Sequence, residues 1–393
     1  MIFLCAFGLS LLAVLALTPA VRSLAKRLHF LDYPSEKKVH ISPTPLMGGI
    51  AVALASLASA AAALALIRCP YSARLVGFMS GGLMVIVLGL ADDANGMRPR
   101  VKLVGQSAAA AVMLLSGGIE GIPLPAPLAF VLALFWMVGL MNAFNFLDNM
   151  DGITAGLAAI AMLGIFVLAV GHGQTNTAIA AIAVAGGALG FLWYNFAPAS
   201  IFLGDAGSLF LGYAVGGLSL RAVAYSDGGL TALLIPALML GYPIFDAFLV
   251  TSARLADGRD VAQGGRDHSS HRIAGLGLSS KQTAAVIYCI SGLLTGVAVY
   301  LSLFQSGRPA LVALVSVAAA CGMIMLGARL FRVPVRAAAA AAASSDVPVT
   351  SGAALAELEE DDLLILSLPR AASRDNADAD AAETRSRETV KAR

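Results

Sequence analysis

Asn142-Ala143-Phe144-Asn145-Phe146-Leu147-Asp148-Asn149-Met150-Asp151-Gly152 lies between two apolar runs, 128–140 and 153–170. With its flanks each run is long enough to cross a bilayer, so the polar stretch falls where the chain leaves one membrane helix and enters the next. Asn142, Asn145 and Asp148 recur every three residues and on a continuous helix would share one face. The stretch offers carboxylate and amide oxygens with no Lys or Arg among them, a set that suits a hard cation such as Mg²⁺. A polar helix end in contact with water is the competing reading, and the rest of the chain must decide between them.

The composition agrees with a membrane setting. Of 393 residues, 58% are hydrophobic and only 13% charged, about half the charged share of a soluble domain, and the mean hydropathy is +0.82. The expected fold class is all-α, a polytopic integral membrane protein with about eleven transmembrane helices. They fall near 2–20, 47–67, 75–91, 101–116, 128–144, 153–170, 178–194, 204–222, 229–251, 281–303 and 309–331. The first run has no basic residues before it, and Arg22, Lys26 and Arg27 follow it. That pattern reads as a first span with its N-terminus outside, not as a cleaved signal peptide. The inner segments then hold sixteen Lys and Arg before residue 337 against four outside, which fixes the orientation. Ten of the eleven Asp before the tail fall on the same inner side, so a single acidic site on the cytoplasmic face is expected. Gly186-x-x-x-Gly190 and Gly212-x-x-x-Gly216 predict close helix approach. Cys5, Cys69, Cys289 and Cys321 lack metal-type spacing and read as small apolar residues. Residues 337–393 are Ala-rich and then charged, and read as a mostly disordered cytoplasmic tail with a weak amphipathic stretch at 352–368.

Further motifs lie on the expected inner side. Asp92-Asp93 ends the third span and is followed by Arg98-Pro99-Arg100-Val101-Lys102. Adjacent carboxylates repel, so a metal or a lipid phosphate near basic groups would account for the pair, and a solvated loop is the alternative. Phe202-Leu203-Gly204-Asp205-Ala206-Gly207-Ser208 opens the eighth span, with Asp205 where a helix N-terminus favours an anion. Phe202 could stack on a base or simply pack. The loop 252–280 carries Arg266-Asp267-His268-Ser269-Ser270-His271-Arg272, donors suited to phosphate oxygens, with metal ligation by the two His as the competing reading. The first inner loop adds Lys37, Lys38 and His40, then Pro45-Leu46-Met47-Gly48-Gly49.

Taken in order, Pro-Leu-Met-Gly-Gly, Asp92-Asp93 with Arg-Pro-Arg-Val-Lys, Asn-Ala-Phe-Asn-x-x-Asp-x-x-Asp-Gly, Phe-x-Gly-Asp-x-Gly-Ser and the His-bearing loop resemble the polyprenyl-phosphate N-acetylhexosamine-1-phosphate transferases, over about residues 1–335. The resemblance implies attack of a lipid phosphate, usually undecaprenyl phosphate, on the β-phosphorus of a UDP-sugar, with release of UMP. It implies catalytic roles for Asp92, Asp93, Asp148, Asp205 and His268. Asp205 with Asn145 would bind Mg²⁺, or Mn²⁺ in its place. Lys102, Asn142, Asp151, Phe202, Arg266 and His271 would bind substrate, Phe202 by stacking on uracil. Partners expected are a UDP-sugar, polyprenyl phosphate and the bilayer, without nucleic acid and with a homodimer left open. The location implied is the bacterial cytoplasmic membrane, with 1–336 as the transferase domain. Family loops with a His-x-His-His pattern have a third His where this chain has Ser270, so Ser270 is expected to tolerate Ala and to bear on sugar choice. The alternative function is a secondary transporter or lipid flippase using Asp residues for cation coupling. Transporter sites usually lie near the bilayer midplane between repeats, whereas these carboxylates gather at one end.

Overall fold

The computed structural model describes residues 1–33, 42–68, 72–224, 229–261, 265–305 and 308–331. The tail 337–393, its stretch 352–368, and Lys37, Lys38, His40, Cys69 and Asp227 lie outside the described residues. Elsewhere the chain is helical apart from turns and a two-stranded ribbon, β1 (Leu31–Asp32) paired antiparallel with β2 (Thr44–Pro45).

The long helices are α1 (Ile2–Arg27), α2 (Gly48–Leu66), α3 (Ala73–Asn95), α4 (Pro99–Met113), α5 (Ala126–Leu147), α6 (Ile153–Gly171), α7 (Thr175–Asn195) and α8 (Gly204–Val223). The short α9 (Leu234–Met239), α10 (Gly241–Ala256) and α11 (Ser269–Ala274) precede α12 (Ser280–Phe304) and α13 (Pro309–Leu330). Among the described residues, nine helices are long and apolar enough to cross a membrane. The expected ninth span, 229–251, is not straight. A 3₁₀ turn at Gly229–Leu233, α9 and α10 form a pair bent by 70°. Pro243 has no N–H to continue the ladder across the break at Leu240, and prolines are the usual cause of such a bend.

Helix α8 is the centre. It carries Asp205 at one end and Arg221 at the other, so it is less apolar than its neighbours, yet its described residues other than Asp205 are buried. It packs against α2, α3, α5 and α6. Small residues permit this. A Cβ on Gly212 would lie 2.6 Å from Met141 Cα of α5, and one on Gly186 of α7 would lie 2.4 Å from the Phe7 carbonyl of α1, as the two glycine motifs predict. The rim differs from the centre: α6 and α7 are largely buried, whereas little of α13 is. Large apolar side chains such as Phe135 and Trp193 face outward, as a lipid environment requires.

Candidate active site

The ends of α3, α4, α5 and α8 bring one acidic cluster together. Lys102, from the first turn of α4, places Nζ 2.7 Å from Asp92 Oδ2, 2.6 Å from Asp205 Oδ2 and 3.0 Å from Asn145 Oδ1. Asn145 Nδ2 donates to Asp205 Oδ1 at 2.7 Å and to Ser208 Oγ at 3.0 Å. Asp93 works on the backbone: its oxygens accept the N–H groups of Asp205 (2.9 Å) and Ala206 (3.2 Å), capping α8 from another helix. Asp92 Oδ1 accepts from Met97 N at 2.6 Å and so holds the α3–α4 turn.

The start of α8 is pinned from the other side by Pro45–Gly49. Phe202 N donates to the Pro45 carbonyl (2.8 Å), while Gly48 N and Gly49 N donate to the carbonyls of Phe202 (3.0 Å) and Leu203 (2.8 Å). A Cβ on Gly49 would lie 2.1 Å from Gly207 Cα, so the two glycines let the backbones meet. The Pro-Leu-Met-Gly-Gly motif therefore acts as a seat for the loop bearing Asp205.

Three residues of the opening stretch part company. Asn145 stays helical and joins the cluster. Asn142 bonds Gln106 in both directions (2.8 and 3.3 Å) and the Val138 carbonyl (2.8 Å), fixing α4 against α5. Asp148 is the α5 C-cap with φ −77° and ψ 47°, off the shared helical face that a continuous helix would give it. Part of Asp148 reaches solvent, yet the protein packed around its carboxyl pushes it up to about 8, with the charges of Asp205, Asp93 and Asp151 adding to the effect. A carboxyl that keeps its proton near neutrality can donate a hydrogen bond. Asp151 Oδ2 accepts from Ala199 N at 2.8 Å, tying the α5–α6 turn to the segment before α8.

The His loop forms a second cluster against the end of α5. Phe146, next to Asn145, meets the His268 ring edge-on at 6.3 Å, and the Arg254 guanidinium lies 5.5 Å from the other ring contact, the centroid of Phe146. Arg254 and Asp267 form a buried ion pair at 2.9 Å. Burial opposes charge on Asp267, but Arg254 and Arg259 outweigh it and hold its carboxyl below the usual range. His268 Nδ1 lies 2.9 Å from Asp246 Oδ2. The His271 ring is buried, and burial, with His268 and Arg266 nearby, lowers its pKa to about 4, so it is neutral at physiological pH. Ser270 is fully buried and donates to Asn149 Oδ1 at 2.6 Å. Its hydroxyl joins the His loop to the α5–α6 turn, a contact that an Ala at this position would lose.

Sequence reading assigned no role to Gln106, Asn149, Ser208, Asp246 or Arg254. Asp246 and Arg254 carried a usable signal, as ionisable residues within or at the end of an apolar run.

The donor set around Lys102 fits a hard cation, since two carboxylates and an amide oxygen already surround a positive charge. Among the described residues no three Asp, Glu, His or Cys side chains converge on a preformed metal nest, so the capacity for a cation rests on these oxygens.

The glycosyl transferase family 4 profile matches residues 75–223, which include the whole acidic cluster. A protein of Bacillus subtilis named as a probable undecaprenyl-phosphate N-acetylglucosaminyl 1-phosphate transferase is 35% identical over 295 residues, 72% of this chain and 81% of its own. The decaprenyl-phosphate N-acetylglucosaminephosphotransferase of Mycolicibacterium smegmatis is 34% identical over 74% of this chain and 80% of its own. The phospho-N-acetylmuramoyl-pentapeptide-transferase of Desulforudis audaxviator is 35% identical over 56% of this chain and 75% of its own. With the motifs gathered at one end of the helix bundle and relatives matched over most of their length, the chain belongs to the polyprenyl-phosphate N-acetylhexosamine-1-phosphate transferases of glycosyl transferase family 4.

Proposed function

We propose that the chain transfers an N-acetylhexosamine-1-phosphate from a UDP-sugar to a polyprenyl phosphate at the inner face of the bacterial cytoplasmic membrane. An oxygen of the lipid phosphate attacks the β-phosphorus, the bond from that phosphorus to the bridging oxygen breaks, and UMP leaves carrying the bridging oxygen. The products are a polyprenyl-diphospho-sugar and UMP. The names of the Bacillus and Mycolicibacterium relatives support the reading, and the transporter alternative draws no support from them.

One observation carries it: Asp92, Asp205 and Asn145 surround the Lys102 ammonium at the mouth of the bundle. Phosphoryl transfer needs charge neutralisation and positioning above all. Asp205 and Asn145 would hold Mg²⁺, with Mn²⁺ as its substitute, and the cation would supply neutralisation of phosphate charge. Lys102 and Arg266 bring positive charge to phosphate oxygens, and Asp93 keeps the α8 N-terminus and Asp205 in register through its two backbone bonds. The lipid phosphate is already anionic, so no side chain has to deprotonate it. Catalysis is assigned to residues 1–336 and none of it to 337–393.

The test uses purified full-length protein with undecaprenyl phosphate and either UDP-GlcNAc or UDP-GalNAc. UMP release should require both substrates and should stop when divalent cations are chelated. Release of UMP without the lipid, or none with either sugar nucleotide, would overturn the reading.

A further inference from the structure

Asp246 lies outside the family-matched segment and outside the motifs that carry the resemblance. It is fully buried on α10, one helical turn after Tyr242, so both side chains point from one face toward α11. A buried carboxylate is costly unless its oxygens are satisfied. Here they are. Oδ2 lies 2.9 Å from His268 Nδ1, and Oδ1 accepts from Ser269 N at 2.7 Å and Ser269 Oγ at 2.5 Å. The Ser269 hydroxyl has one proton, which goes to Asp246, so the Tyr242 hydroxyl 2.7 Å away donates to Ser269. The carboxylate is thus held by three donors from the N-cap and the first residue of α11.

The geometry sets the proton arrangement of the ring. A carboxylate only accepts, so Nδ1 of His268 carries a proton. Nε2 is then the nitrogen left for a ligand. With Nδ1–H committed, a neutral ring has no proton on Nε2 and cannot donate to a phosphate oxygen, whereas an imidazolium can. Asp246 is the matching counter-charge. Among the described residues, the other charged or titratable groups beside the ring are His271, 6.4 Å away edge-on, and Asp267, which already pairs with Arg254, while Arg266 lies near His271. Phe146 of α5 closes the remaining side with an apolar ring.

We propose that Asp246 is the positioning residue of His268: it orients the ring through Nδ1 and balances an imidazolium whose Nε2–H is offered to a phosphate oxygen of the sugar nucleotide. The inference rests on the transferase reading, with His268 as a phosphate donor. It goes beyond that reading in giving the loop a fixed partner on α10.

The experiment combines kinetics with ¹⁵N-histidine spectra of the full-length protein, using whichever of UDP-GlcNAc and UDP-GalNAc is turned over. The His268 signals are assigned by their loss in His268→Gln. In the wild-type complex at neutral pH both His268 nitrogens should be protonated, and a neutral ring there would overturn the proposal without any Asp246 variant. In Asp246→Asn, kcat/KM for the sugar nucleotide should fall about 10- to 100-fold, with KM for undecaprenyl phosphate unchanged. The double variant Asp246→Asn/His268→Gln should be no worse than the poorer single one, because both act through one ring. A merely structural Asp246 would instead give additive losses and raise both KM values. If Asp246→Asn does not fold, Asp246→Glu keeps the charge and should retain the protonated ring with a smaller loss. Full activity of Asp246→Asn beside an impaired His268→Gln would sink this proposal and leave the transferase reading standing. Absence of any wild-type turnover would sink the transferase reading itself.

Discussion

Replacing Asp205 by Asn keeps the size of the side chain and removes its charge. Both of its oxygens face donors: Lys102 Nζ at 2.6 Å and Asn145 Nδ2 at 2.7 Å. An amide has one acceptor oxygen, so in either flip an NH₂ group confronts another N–H at hydrogen-bonding distance. Losing one charge-assisted bond costs roughly 1.5–3 kcal/mol, which corresponds to about 10- to 150-fold in rate if the geometry matters only in the transition state. If Asp205 holds Mg²⁺ as proposed, weakened cation binding adds to that, so kcat for UMP release at saturating substrates should fall by at least about 100-fold. The fold should survive, because Asp93 caps α8 through backbone N–H groups that the substitution leaves in place and the Asp205 side chain is 30% exposed. The assay is UMP release at limiting and at high Mg²⁺, with thermal melting in detergent alongside. Turnover within about threefold of wild type at limiting Mg²⁺ would refute the reasoning.

Other perturbations reach different parts of the account. Gly49→Ala drives a Cβ to 2.1 Å from Gly207 Cα, a backbone collision that should cost about 1–3 kcal/mol or more and lower the melting temperature, whereas Gly8→Ala, with nothing within 4 Å, should not. Ser270→Ala removes the donor of a part-buried hydrogen bond to Asn149 Oδ1 and should destabilise by about 0.5–1.5 kcal/mol, seen as a lower melting midpoint. His271 takes up its proton near 6.5 when unfolded but only near 4 in the fold, so acid favours the unfolded chain. Its contribution should be intact above pH 6.5 and fall by about 3 kcal/mol as pH drops to 4. The raised Asp148 works in the opposite direction, so the measurement is the difference in melting temperature between wild type and His271→Leu across that range.

The all-helical membrane class and the polar helix ends were legible in the sequence because apolar length is a local signal. The count was not: about eleven spans were expected, and among the described residues nine helices are long and apolar enough, with α9 and α10 a bent pair. The glycine motifs likewise foretold the contacts of α7 with α1 and of α8 with α5. What escaped depended on partners distant in sequence. Lys102 meets Asp205 across 103 residues, and neither helix alone indicates that the ammonium enters the acidic cluster. Asp148 escaped for a local reason, since the three-residue spacing assumes a helix that ends one residue too early. Asp246 read only as one more inner-face carboxylate, because its partners come from a loop 22 residues on. The bend between α9 and α10 hid inside an apolar run, where hydropathy is blind to backbone direction even though Pro236 and Pro243 stand in plain view.

The central claim is that the phosphate next to the sugar moves with it. UDP-N-acetylhexosamine labelled with ³²P at the β-phosphorus, incubated with the purified protein and undecaprenyl phosphate, tests it directly. The account predicts label in the organic phase on a polyprenyl-diphospho-sugar and unlabelled UMP in the aqueous phase, in equal amounts. Label retained in UDP, with the sugar alone on the lipid, would contradict it.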